Sequence, residues 1–258
     1  MFIPLHDANH LKHVRFQYVT VGLIVANVIV FVLTGLQGQD WAQATAIGLG
    51  YIPSVVNDYA ILPPELAFVP EAATYVTYAF LHGDIFHLGG NMLFLWVFGD
   101  NVEDAIGHVK FLVFYLLCAV AGAWLHGAMA PDSNSPLIGA SGAVAGIVAA
   151  YLLLHPKVKI WILALGRIPL RIPAWIVLAL WIAFQFVMLA VQGEEQISWA
   201  AHVGGIVAGG LLVLVMKRRG VPLFDREIVT PRAVETDGPR RRPADEPPPP
   251  GPWGRSPG

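Results

Sequence analysis

The sequence predicts an all-α fold: a polytopic membrane protein built as a six-transmembrane-helix bundle. Three observations predict it. Hydrophobic residues make up 55% of the 258 positions and charged residues only 13%, whereas a soluble domain carries about a quarter charged. The mean hydropathy is +0.58. The charges are crowded into short segments between apolar runs of about 20 residues, the length a helix needs to cross hydrocarbon. The formal net charge of -2 gives no reason to expect a nucleic-acid partner.

Taken in order, residues 1–14 read as a cytoplasmic N-terminus. The first apolar run, 15–35, is too long for a removable signal peptide. The "TGLQGQDW" after it is also a poor cleavage site. Segment 36–83 contains "GYIPSVVNDYAILPPELAFVP", whose prolines and apolar residues predict short pieces lying in the membrane interface. The second run, 84–99, is short and begins within the interface. The runs 109–130, 138–154, 172–191 and 198–216 complete the set, so the membrane domain covers 15–222. From 223 to 258 the composition turns to Pro, Gly and charge, as in "GPRRRPADEPPPPGPWGRSPG". Such a segment buries no core and predicts a disordered cytoplasmic tail. The single cysteine, Cys118 in the third run, has no intramolecular disulfide partner and reads as a buried thiol.

Orientation follows from Lys and Arg. With six spans, all 16 basic residues fall on one side of the membrane. The opposite loops (36–83, 131–137 and 192–197) hold Asp40, Asp58, Glu65, Glu71, Asp132, Glu194 and Glu195, with no Lys or Arg. The positive-inside rule then puts both termini in the cytoplasm. The sparse cysteine and compact loops point to a bacterial plasma (inner) membrane.

Polar side chains inside spans are costly and face the bundle interior or a wet cavity. The second run carries His82, His87 and Asn91 near its start, the fourth Ser141 and the sixth His202. These three runs all enter from the outer side. Asn91 lies about seven residues in, Ser141 about three to five and His202 about four, so they fall roughly 5–11 Å below the outer helix ends. Gly139, Gly142 and Gly146 recur on the fourth run, and Ala201, Gly205 and Gly209 on the sixth. Small residues at this spacing let membrane helices pack backbone to backbone. Each residue alone has an ordinary reading. A membrane serine commonly bonds a carbonyl one turn back, a histidine near a helix end is commonly a packing residue, and Asn91 can simply bond a neighbouring helix.

Together they form a nucleophile and a general base. A hydroxyl becomes a competent nucleophile when a neutral imidazole takes its proton. The oxyanion needs donors, and a serine near a helix N-terminus has free backbone N–H groups around it. No acidic residue is positioned to orient His202, which predicts a dyad rather than a triad.

The set "HGDIFHLGGN", "GASGA" and "AHVGG", in that order on the second, fourth and sixth spans, resembles the rhomboid intramembrane serine proteases. The resemblance covers residues 15–216. It implies Ser141 as nucleophile, His202 as general base, and His87 and Asn91 as the oxyanion-binding pair. It also implies Gly139 as the residue that keeps the approach to the serine open, Gly142 as site-shaping and Gly205 as close-packing. The implied function is hydrolysis of a peptide bond in or beside a transmembrane segment. Partners would then be the lipid bilayer and single-span or multi-span membrane protein substrates, with no cofactor and no metal. The fifth span, starting near "RIPAWIVLAL", is similar to the family's lateral gate.

The sequence departs from the family pattern twice. No Trp-Arg pair precedes the second span, where the chain reads "EAATYVTYAF". The position four after the serine, aromatic in some members, is Ala145, so His202 needs another orienting group. His82 reads as a structural hydrogen-bonding residue and His126 as a lesser candidate near the site. Two rivals stay open. One is a catalytically inactive rhomboid-like protein that binds membrane helices. The other is a transporter lined by His82, His87, His126 and His202, which lacks an in-span carboxylate and internal two-fold symmetry.

Overall fold

The computed structural model describes residues 2–164, 166–191 and 198–225. Glu194 and Glu195 of the sixth span's leading loop lie outside the described residues, as does all but the start of the tail 223–258 expected to be disordered; the Phe224 and Asp225 amides donate to the Leu153 and Leu154 carbonyls at 2.8 and 2.9 Å.

The chain is mostly helical. It opens with strand β1 (Phe2–Asp7) and helix α1 (Tyr18–Thr34). Short helices α2 (Gln39–Leu49), α3 (Pro53–Val56) and α4 (Glu71–Thr77) follow, with a 3₁₀ turn at Tyr78–Phe80. Then come α5 (Ile85–Ile106), α6 (His108–Met129), α7 (Ser141–Leu154), strands β2 (Lys159–Ala164) and β3 (Ile168–Pro173), α8 (Ala174–Ala190) and α9 (Trp199–Met216). Each of the six expected spans overlies one of the helices α1 and α5 to α9. By length and composition α6 and α9 are long and apolar enough to cross a membrane, while α1, α7 and α8 are apolar and shorter.

Three expectations need correction. The fold is not all-α: β1, β2 and β3 form a three-stranded antiparallel sheet in that order. Ile160 and Ile162 of β2 are buried while Lys159 and Trp161, which alternate with them, are exposed. This period of two marks a strand with one face covered, but it was hidden in a stretch dominated by loop-like basic residues. Pro169 and Pro173 sit in β3, an edge strand, where a missing N–H is tolerated. Second, the run at 138–154 becomes helix only at Ser141. Tyr51 and Leu137 pair as an isolated antiparallel bridge just before it, and Gly139 adopts φ +118°, a conformation no L-residue helix contains. Third, the helix at the second span runs beyond the apolar run 84–99. α5 has 22 residues, and its last turns carry Asp100, Glu103 and Asp104.

Those acids explain the length. A carboxylate at a helix C-terminus opposes the helix dipole, so its partners must compensate. Glu103 is fully buried and accepts hydrogen bonds from the Val19 and Thr20 amides at 3.0 and 2.8 Å and from the Thr20 hydroxyl at 2.6 Å. α1 has no side-chain cap of its own at Gln17, so α5 supplies its N-terminal acceptor. Asp104 accepts from the amides of Lys12, His13 and Val14 at 3.0, 2.6 and 2.7 Å. The N-terminal segment is therefore tied to the bundle. Asp7 ends β1 and accepts from Tyr151 Oη at 2.7 Å and Asn101 Nδ2 at 2.9 Å.

α7 and α9 pack against each other along glycines. A Cβ at Gly205 would overlap the Gly142 carbonyl, and one at Gly209 would overlap the Gly146 carbonyl. The two backbones touch, which is the packing the small-residue repeats predict. Cys118 is buried against this seam, with its Sγ 2.5 Å from where a Gly146 Cβ would lie.

Two outcomes are expected. Gly205→Ala forces α7 and α9 apart and should lower the melting temperature in detergent by about 4–8 °C, on the order of a 2 kcal/mol overpacking cost. Gly210→Ala, whose Cβ would meet only Leu153 Cδ1 at 3.8 Å, should be neutral. The second concerns pH. Burial pushes the Asp7 carboxyl up from 3.8 to about 6, so the folded chain keeps this proton where the unfolded chain has lost it. Stability then falls as pH rises from about 4 to about 6, by up to about 1.4 kcal/mol per unit, and the cost is complete above that window. Asp7→Asn retains an oxygen acceptor for Tyr151 and removes the charge. Its melting curve should lie above wild type at neutral pH and converge with it near about pH 4.

Candidate active site

α5 starts where Asp84 caps it. The Asp84 carboxylate accepts from the Phe86 and His87 amides at 2.7 and 2.9 Å, a geometry that satisfies first-turn donors. His87 is thereby held in the first turn. Asn91, one turn on and buried, faces the same way. Its Nδ2 lies 3.1 Å from His82 Nε2. An amide NH₂ only donates, so Nε2 accepts and the His82 proton sits on Nδ1.

The entry to α7 passes directly beneath these groups. A Cβ at Gly139 would lie 2.6 Å from His87 Nε2 and 3.9 Å from Asn91 Nδ2. Gly139, His87 and Asn91 are thus brought together. Ser141 is the first residue of α7 and half-buried, shallower than the three to five residues expected. Its own amide belongs to the helix's first turn, whose N–H groups have no intrahelical partner.

Gly142 marks the crossing with α9. A Cβ there would lie 3.2 Å from the Ala201 carbonyl oxygen and 3.2 Å from Tyr78 Oη. Tyr78 is anchored in turn by donating to the Ala119 carbonyl at 2.8 Å, and its own carbonyl accepts from the Gly139 amide at 3.0 Å. Ser141 precedes the contact residue on one helix, and His202 follows it on the other.

What orients His202 was missed in the sequence. Its Nδ1 is 2.8 Å from Gln185 Oε1 on α8. The ring lies between Trp181, tilted 31° at 6.2 Å, and Trp199, edge-on at 6.0 Å. The aromatic absent at Ala145 is replaced by two aromatics from other helices. Gln185 was visible as the one strongly polar side chain in "AWIVLALWIAFQFVMLA", the signal that marks an interior-facing position. His126 is assigned elsewhere: the Ser198 hydroxyl meets its Nδ1 at 2.8 Å, and Ser198 Oγ accepts from the Ala201 amide at 3.1 Å. His126 therefore braces the N-terminal cap of α9. Among the described residues no group of three or more His, Cys, Asp or Glu converges to hold a metal.

Comparison with known proteins gives this arrangement a lineage. The Rhomboid domain model matches residues 70–219, more than half of the chain. The chain belongs to the rhomboid family. The matched rhomboid domain runs from just before α4 to just beyond α9 and contains His87, Asn91, Gly139, Ser141, Gln185 and His202. Similar proteins include the yeast (Saccharomyces cerevisiae) Rhomboid protein 1, mitochondrial, 27% identical over 190 residues, 71% of this chain and 51% of the relative. The human presenilin-associated rhomboid-like protein, mitochondrial, is 28% identical over 195 residues, 75% of this chain and 47% of the relative. Rhomboid-like protease 3 of Toxoplasma gondii is 27% identical over 196 residues, 76% of this chain and 66% of the relative. The chain spans about half the length of the first two of these relatives. It is a rhomboid membrane protein with multiple apolar helices.

Gly139 offers a sharp test of the geometry. Gly139→Ala adds a Cβ against the His87 ring and strains a positive φ, a combined cost of order 1–3 kcal/mol. The variant should display a shifted His87 imidazole NMR resonance and a lower melting temperature.

Proposed function

We propose that this rhomboid is an intramembrane serine endopeptidase acting through a Ser141–His202 dyad. The observation that carries the reading is the backbone crossing of α7 and α9 at Gly142 and Ala201, with Ser141 and His202 as the flanking residues. The name of the Toxoplasma relative, a rhomboid-like protease, supports it.

Ser141 Oγ attacks the scissile carbonyl carbon while His202 Nε2 takes the hydroxyl proton. The carbonyl π electrons move to oxygen, and the tetrahedral oxyanion is stabilised by the Ser141 amide, His87 and Asn91. His202 returns its proton to the leaving amine as the C–N bond breaks. A water then repeats the sequence on the acyl-enzyme, with His202 again as base. Ser141 at a helix start, half-buried, is compatible with the water supply that this second half needs. His202 is neutral at rest in this scheme.

Substrates are membrane proteins whose transmembrane segment unwinds at the cut, because a helix hides its carbonyls in hydrogen bonds. Both termini face the side that holds the basic residues, and the dyad lies toward the opposite face.

The test compares wild type with Ser141→Ala and His202→Ala on a single-span substrate in proteoliposomes. Each variant should lose about 10³-fold or more in kcat with an unchanged melting temperature. A serine-directed fluorophosphonate should label wild type and not the serine variant. Full turnover by Ser141→Ala, or a folded wild type that neither labels nor cleaves, overturns the reading. The second outcome is that of a helix-binding pseudoprotease.

A further inference from the structure

A general base works only if its lone pair faces the nucleophile. In a neutral imidazole one nitrogen carries the proton and the other the lone pair, and the partner of the first decides which is which. In this site the partner can be read without ambiguity. Gln185 Nε2 lies 3.1 Å from the Trp181 carbonyl oxygen. A carbonyl only accepts, so the amide must turn its NH₂ end that way. Its Oε1 then faces His202 Nδ1 at 2.8 Å, and an oxygen acceptor requires a proton on Nδ1. The remaining nitrogen, Nε2, holds the lone pair.

Gln185 is built for this task. It is 2% exposed on a helix whose nearest neighbours in sequence, Phe184, Phe186 and Val187, are half-exposed apolar residues. Burying an amide there is unfavourable unless both its ends are bonded, and both are. A carboxylate at this depth would bring a charge that needs its own compensation. The neutral amide orients the ring without one. Trp181 sits one turn away on the same helix, presents its carbonyl to Gln185 and its ring to His202, and so fixes both.

We propose that Gln185 is the positioning residue of the site: its amide holds His202 in the Nδ1–H tautomer, leaving Nε2 free to take the Ser141 proton. The proposal rests on the dyad reading for its catalytic consequence, while the tautomer itself is measurable without it. The active unit then draws on α7, α8 and α9 together, with α8 contributing the group that makes His202 a base rather than a donor.

The decisive measurement is ¹⁵N NMR of histidine-labelled full-length protein in nanodiscs, with His202 assigned by its loss in His202→Ala. Wild type should show a protonated, pyrrole-type Nδ1 and an unprotonated, pyridine-type Nε2. Gln185→Met, similar in volume but without the amide acceptor, should show the two tautomers mixed. In proteoliposomes it should lose about 10²-fold in kcat with KM within about twofold. Gln185→Glu, which restores an oxygen acceptor in either protonation state, should recover kcat to within about tenfold of wild type. A wild-type spectrum with the proton on Nε2 overturns the proposal, whatever the variants do. So does a Gln185→Met enzyme with wild-type kcat and an unmoved tautomer. Failure of the dyad is a separate result, read from turnover by Ser141→Ala; in that case the NMR arm still decides the role of Gln185.

Discussion

The contact between α7 and α9 at Gly142, Gly205 and Gly209 governs the rest of this molecule. Helices whose side chains separate them lie 8–10 Å apart, too far for a short serine to meet a histidine on its neighbour with confidence of geometry. Here no side chain intervenes. The Gly142 carbonyl occupies the space a Gly205 Cβ would need. Packing in lipid has little hydrophobic drive between helices, so van der Waals fit of bare backbones must supply the association. The same fit sets the spacing on which the proposed chemistry depends. Stability and site geometry are therefore one property.

The site is assembled from helix beginnings. Asp84 caps α5 and holds His87, Gly139 turns the chain into α7 at Ser141, and Ser198 braced by His126 caps α9 just before His202. First-turn positions suit this role because their amides are unpartnered. The opposite end of the bundle has a different logic. Glu103 and Asp104 at the end of α5 serve as acceptors for α1 and for the segment 12–14. Carboxylates that oppose their own helix dipole are retained because they complete another element's hydrogen bonding. The three-stranded sheet lies at this end, formed by β1 and the hairpin between α7 and α8.

Several features of this fold and site were legible in residue patterns. The six helices follow from apolar runs, because each is a local property of about 20 residues. The expectation that Asn91, Ser141 and His202 share one layer rests on the segregation of Lys and Arg, which suggests an orientation for the helices before any contact is known. The sheet was harder. β1 is six residues long with a proline, and its partner β2 lies more than 150 residues away, so pairing is non-local and leaves only a weak alternation behind. The start of α7 was misjudged because the left-handed turn at Gly139 interrupts a stretch whose composition alone looks continuous.

By itself the sequence determined the residue types available for chemistry and their order on the helices, because charge and hydropathy act locally. Only the tertiary structure decided which partner each polar group takes. Gln185 stands 17 residues from His202 on another helix, and its amide could equally have faced a carbonyl, a hydroxyl or lipid. Hydrogen bonds are short and directional, and the choice among possible partners is made by how helices pack, which no local pattern encodes.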